Sequence, residues 1–190
     1  MKHFRIILLA WLVVFSGCNR HDDCRYFEEE CHAIIDLVPL MVDLDYMIAH
    51  NNYNLEKPSL FIINELYGKI YKIKNEELTR KDQKILDPLI RGKMSDRLIT
   101  QKIVSDFSKI KLVVLDKMEF ETHIQNKNNI VNDVFGYLVV SRIAFDRKYQ
   151  VGFVEYSFFC GEACAWKSLI KIIKINNKWI KDKEIFEWRA

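Results

Sequence analysis

The chain has 190 residues, 49% of them hydrophobic and 29% charged, with six glycines and no linker, repeat or low-complexity stretch, so it reads as one domain with a single core. Basic residues number 29 against 26 acids, and setting aside Lys2 and Arg5, which fall in an N-terminal leader, brings the balance to about +1. That near-neutrality excludes the electrostatic footprint of a nucleic-acid partner, and six glycines leave little material for a phosphate-binding loop.

In chain order, Lys2 and Arg5 precede an uninterrupted apolar run from Ile6 to Phe15, and the small pair Ser16 and Gly17 leads into Cys18. A charged start, an apolar run and small residues before a cut make a secretory signal. The run has ten residues, whereas a helix needs about 20 to span a bilayer, so it reads as a signal core and not a transmembrane helix.

The stretch VFSGC resembles the lipobox of bacterial lipoproteins, where a small residue precedes a cysteine that receives diacylglycerol before cleavage on its amino side. The resemblance implies a lipoprotein signal peptide over 1–17, lipid on Cys18, a lipidated tether over 18–23 and a domain over 24–190 held on a membrane outside the cytoplasm. Spending Cys18 on lipid leaves four cysteines, an even number suited to an oxidising compartment. A plain secretory cut after Ser16 is the competing reading. Asn19, next to the lipidated position, points to the outer membrane where a cell has two.

From His32 to His50 the residues Ile34, Leu37, Val38, Met41, Leu44 and Ile48 recur at steps of three and four, the period of an amphipathic helix. Pro39 lies on the opposite stripe and predicts a kink or a split into two helices. Residues 51–58 are polar and read as a loop. Thr79 with Asp82 forms a helix start and Gly92 a stop, with Pro88 shortening or breaking the helix between them. Ser95 reads as the cap of a further helix running to about Phe107.

Beyond Ile110 the pattern turns to strands: KLVVLDK, the run from Phe135 to Phe145, VGFVEYSFFC, AWKSLIKIIKI and KWIKDKEIFEW. Asn176 and Asn177 sit between the last two and predict a tight hairpin, because asparagine tolerates left-handed backbone. Pairing across that turn sets Ile173 opposite Ile180 and Lys171 opposite Asp182. The predicted fold class is α+β, with N-terminal helices packed on a C-terminal antiparallel meander of four strands.

The segment from Ser141 to Trp188, with its aromatic strand, CGEAC, a second strand and INNKWI, resembles the C-terminal part of small uncharacterised bacterial envelope lipoproteins. The likeness covers about a quarter of the chain and implies fold and location only.

Charge is uneven along the chain. Residues 19–50 are acid-rich, and the stretch from Ala165 is rich in lysine. Such runs read as solvated faces and protected sheet edges, the alternative being a face for headgroups or polyanions.

Cys160 and Cys164 flank a three-residue connection able to close a hairpin, which predicts a structural disulfide; CxxxC is not the CxxC of redox enzymes, and no βαβ pattern surrounds it. Cys24 and Cys31 form the second candidate disulfide. In continuous helix they would stand about 10.5 Å apart along the axis, so their pairing requires the helix to begin after Cys24.

No metal or cofactor is predicted, and no GxSxG, HExxH or phosphate-binding glycine loop occurs. One constellation stands out: His32, Asp36, Asp43 and His50 share a stripe on the first helix, where His32 and Asp36 can meet as an acid–base pair. The ordinary reading of that stripe is the helix's wet face. Tyr156, Phe158, Phe159, Trp166, Trp179 and Trp188 read as core and cross-strand packing, or as the lining of a ligand pocket. The expected role is a non-enzymatic envelope lipoprotein that binds a partner protein or a small ligand. The alternative is an envelope enzyme whose site is assembled around the His32–His50 face.

Overall fold

The computed structural model describes residues 21–43, 59–63, 65–70, 78–99, 111–125, 134–161 and 164–189. The fold is α+β. Among the described residues its helices are α1 (His21–Met41), α2 (Arg80–Ile90) and α3 (Lys117–Gln125). Its strands are β1 (Ser59–Ile63), β2 (Glu65–Leu66), β3 (Arg97–Leu98), β4 (Lys111–Leu115), β5 (Val134–Val140), β6 (Ala144–Phe145), β7 (Val151–Gly161), β8 (Cys164–Ile175) and β9 (Lys178–Arg189).

The main sheet runs β4-β1-β5-β7-β8-β9, with β6 paired beside β7. The predicted meander is its right half, where β5, β7, β8 and β9 pair antiparallel. The left half corrects the purely antiparallel expectation, because β1 pairs parallel with both β4 and β5. Parallel strands need long crossovers, and the chain supplies one between β4 and β5 that contains α3. Strand β1 is SLFII, buried from Leu60 to Ile63, the continuous apolar run expected of a strand covered on both faces.

The tight turn forms where predicted. Asn176 and Asn177 take φ of 49° and 62°, the left-handed pair that a two-residue turn requires, and Ile173 faces Ile180. Further from the turn the register shifts between Lys171 and Ile172, so Lys171 pairs with Lys183, not Asp182. The Lys171 ammonium still reaches the Asp182 carboxylate at 3.5 Å and meets Asp82 of α2 at 3.2 Å.

Pleating assigns the two faces of the sheet. Val154, Tyr156 and Phe158 of β7, with Ile170, Ile172 and Trp179, meet Ile34, Leu37, Val38 and Met41 of α1 in one core. The alternate residues Phe153 and Leu169 meet Leu86 and Leu89 of α2 in a second core on the other face. Each of these fully buried aliphatic side chains stabilises the fold by about 1.5–3 kcal/mol relative to exposure.

Helix α1 begins at His21, inside the stretch read as tether, and ends at Met41 instead of continuing to His50. It stays unbroken at Pro39 and stops two residues later, with Asp43 at φ 45°. Leu44, Ile48 and His50 lie outside the described residues. Helix α2 starts as predicted: the Thr79 hydroxyl accepts the Asp82 N–H at 3.1 Å, and Gly92 with φ +61° follows the last turn. Pro88 is accommodated inside it. Burial pushes the Asp82 carboxyl up, but hydrogen bonds from Thr79 and Lys171, with the Lys171 charge, outweigh it and hold the group below its ordinary value.

The helix predicted from Ser95 does not start there. Arg97 and Leu98 pair with Leu66 and Glu65 in a short antiparallel ladder. The Asp96 carboxylate accepts the Gly68 N–H at 2.6 Å and the Ser95 carbonyl accepts from Arg142 at 2.7 Å, so long-range partners override local capping. Residues 100–110 lie outside the described set.

Cys160 and Cys164 are joined across the β7–β8 connection, with Cα atoms 5.1 Å apart. Phe158 faces Trp166 beside the bridge, ring centroids 4.6 Å apart. Because the closed loop is short, replacing both cysteines by serine is expected to cost at most about 2 kcal/mol, read as a modest drop in Tm. A protein that stays folded but loses ligand binding would show the pair to be more than a staple.

Cys24 and Cys31 do not form the second predicted bridge. Both lie in the continuous helix α1, where seven residues separate them by about 10.5 Å along the axis. Cys31 is a free, buried thiol. Burial pushes the Cys31 thiol up to about 12, so it stays protonated and unreactive at neutral pH.

Candidate functional site

The face of the sheet that carries α2 is only partly covered. Phe153 and Leu169 lie under α2, and further along Phe120 of α3 sits 5.4 Å from the Tyr137 ring. Between them the pleat exposes Val139 of β5 with Glu155, Ser157 and Phe159 of β7 and Lys167 of β8. Tyr67, Lys69 and Ile70, on the connection after β2, rise as a wall. The result is an open groove of about 430 Å³, within the size range of small-molecule sites.

Charge in the groove is specific. Glu155 and Lys167 sit on neighbouring strands, and the ammonium meets the carboxylate at 2.8 Å, with 13% of the Glu155 and 29% of the Lys167 side chain exposed. Ser141 fixes Glu155 from both sides: its N–H donates to the Glu155 carbonyl at 2.8 Å, and its hydroxyl accepts the Glu155 N–H at 2.9 Å. Burial raises the Tyr67 hydroxyl above its ordinary value, which keeps it a donor at neutral pH.

The groove wall is bolted to α1 through the sheet. Next to Ser141, Arg142 turns to the other side, where its Nε donates to Glu30 at 2.6 Å and its Nη1 to the Ser95 carbonyl at 2.7 Å. The same Glu30 oxygen accepts the Ile143 N–H at 2.8 Å. Tyr26 adds a hydrogen bond from its hydroxyl to the Ile143 carbonyl, and its ring lies under the Arg142 guanidinium. Glu30 is fully buried, and among the described residues its Oε2 has no hydrogen-bond partner. Burial holds this carboxyl above the usual carboxylate range against the pull of Arg142.

The predicted site residues fall elsewhere. His32 and Asp43 are exposed, and Asp36 is spent on the hairpin, its carboxylate accepting the Trp179 N–H at 2.9 Å. Neither His32, Asp36 nor Asp43 lines the groove, and His50 lies outside the described residues, as does Cys18. Of the six aromatics, Phe159 presents its side chain to the groove, while Tyr156 borders it on β7 with its side chain in the α1 core. Phe158, Trp166 and Trp179 pack with α1, the Trp166 indole donating to the Met41 carbonyl at 2.9 Å. Trp188 of β9, 51% exposed, pairs with Lys167 of β8.

Glu155 and Lys167 were missed because single charges in apolar runs read as ordinary solvent-facing alternation. The available signal was Glu155 and Ser157 at alternate positions of VGFVEYSFFC, polar residues on a face that also carries Phe153 and Phe159.

Among the described residues no three His, Cys, Asp or Glu side chains gather as a metal site, and no helix is long and apolar enough to cross a membrane. Comparison with protein-family models, with curated proteins and with solved structures finds no match.

Proposed function

We propose that this protein is an exported envelope lipoprotein, cut before Cys18 and held on a membrane by lipid there, whose domain binds a small ligand without transforming it. The observation that carries the binding reading is the groove beside α2, with apolar walls and a fixed Glu155–Lys167 pair among its lining. The enzyme alternative draws less support, since Asp36 of the His32–His50 stripe is held by the Trp179 backbone and His32 stands apart from the groove. The anchor reading rests on the apolar run, Ser16, Gly17 and Cys18.

Two measurements test the two halves. Mass spectrometry of the mature N-terminus is expected to find acyl chains on Cys18, which at ~0.8 kcal/mol per buried methylene hold the protein on a bilayer. An unmodified peptide starting at Gly17 would overturn the anchor. An NMR screen of small fragments is expected to shift the amides of Ser157, Phe159 and Lys167 together. Shifts confined to other surfaces would move the binding site away from the groove.

A further inference from the structure

The proposal here rests on the groove being a ligand site and names the chemistry of what it takes. Among the described residues, three charged side chains line it: Lys69, Glu155 and Lys167. Glu155 is answered by Lys167, which leaves Lys69 as a surplus positive charge among the described residues. Lys69 is exposed and makes no ion pair among the described residues. Gly92 lies against the methylenes of Lys69: a Cβ placed on that glycine would stand 3.1 Å from the Lys69 Cδ.

The apolar lining lies beside this charge. Ile70 and Val139 contribute aliphatic surface, and Phe159 is a large hydrophobic side chain left 39% exposed at the groove. A cation would meet the surplus lysine, and a neutral ligand would leave it unanswered. We propose that the groove takes a small organic anion with an apolar or aromatic body, its charged end at Lys69 and Lys167 and its body over Ile70, Val139 and Phe159.

Glu155 then acts as a brake on affinity. It holds Lys167 and repels an incoming anion, so Glu155→Gln, which keeps the shape and both backbone bonds to Ser141, should tighten binding. A side chain present only to close a strand pair would not produce that gain.

The test is an NMR titration of the purified mature protein with phenylacetate, phenylacetamide and phenethylamine, three probes of one shape and different charge. Phenylacetate is expected to bind with a Kd on the order of 1 mM and to shift the Ser157 and Phe159 amides. The amide and the amine should bind at least roughly tenfold more weakly. Lys69→Met should weaken phenylacetate about threefold to tenfold, and Glu155→Gln should tighten it by a similar factor, both variants melting near the wild type. Equal binding of the three probes, or preference for the amine, would overturn the anion assignment while leaving the groove as a site. Silence from all three would overturn the assignment and the groove reading together.

Discussion

Replacing Arg142 by Met is expected to lower the unfolding free energy by about 3–5 kcal/mol, because it strands the fully buried Glu30 carboxylate without its cation. For a domain of this size that corresponds to a drop in Tm of about 10 °C. Most of the loss is the penalty of an unpaired buried charge and not the strength of the ion pair. The double variant Glu30→Gln with Arg142→Met removes both charges and keeps an acceptor for the Ile143 N–H, so it should recover to within about 1–2 kcal/mol of the wild type.

The effect depends on pH with a definite sign. The folded-state value of Glu30 lies above the ordinary carboxyl value, so its contribution is full below that ordinary value and is lost as pH rises through the folded one. Without the guanidinium the carboxyl rises further, and the deficit of Arg142→Met should be larger at neutral pH than at about pH 5. Urea unfolding of the three proteins at both pH values checks this. A midpoint for Arg142→Met equal to that of the wild type would show that the pair contributes nothing.

The second large effect is at Trp179. This side chain is 2% exposed and lies in the core that α1 shares with the sheet. Its ring centroid stands 4.9 Å from that of Phe145, the Lys174 ammonium lies 5.6 Å from the ring, and its backbone N–H is taken by Asp36. Trp179→Ala is expected to cost about 3–5 kcal/mol, from lost transfer energy plus the cavity left under α1. Trp188→Ala, on the same strand but exposed, should stay within about 0.5 kcal/mol of the wild type. Denaturant titrations of the two variants compare directly, and equal losses would contradict the placement of β9.

The sequence was most legible where local chemistry and tertiary fold agree. Thr79, Gly92 and the Asn176–Asn177 pair mark boundaries because the cap, the stop and the turn each use a residue chosen for its backbone or side-chain geometry. Phe158 pairs with Trp166, each two residues outward from a bridged cysteine, so this register is the one that the turn dictates. Strand β1 was not legible as a strand, because SLFII has no alternation and a short apolar run fits a buried helix equally well. Its parallel pairing was hidden too, since partners fifty or more residues away leave no local mark. Ser95 failed for the opposite reason: a good capping residue was claimed by Arg142 from across the fold. The groove was hidden because Tyr67, Ser141, Glu155 and Lys167 come from four separate segments and none is unusual alone.

The direction of α1 sets how such a molecule stands. Toward the middle of the helix Glu29 meets Lys174 beside the Asn176–Asn177 turn, and at its C-terminal end the Met41 carbonyl takes the Trp166 indole, so the helix runs from the hairpin-tip end of the sheet toward the start of β8. With the lipid proposed at Cys18, the anchor would keep the hairpin tip down like the foot of a mast. Lys167 lies seven residues up β8 from Lys174, which lifts the groove roughly 20–25 Å above that foot and onto the face away from α1. Held at that height by the proposed anchor, the groove would sample solutes diffusing through the aqueous space and not molecules dissolved in lipid.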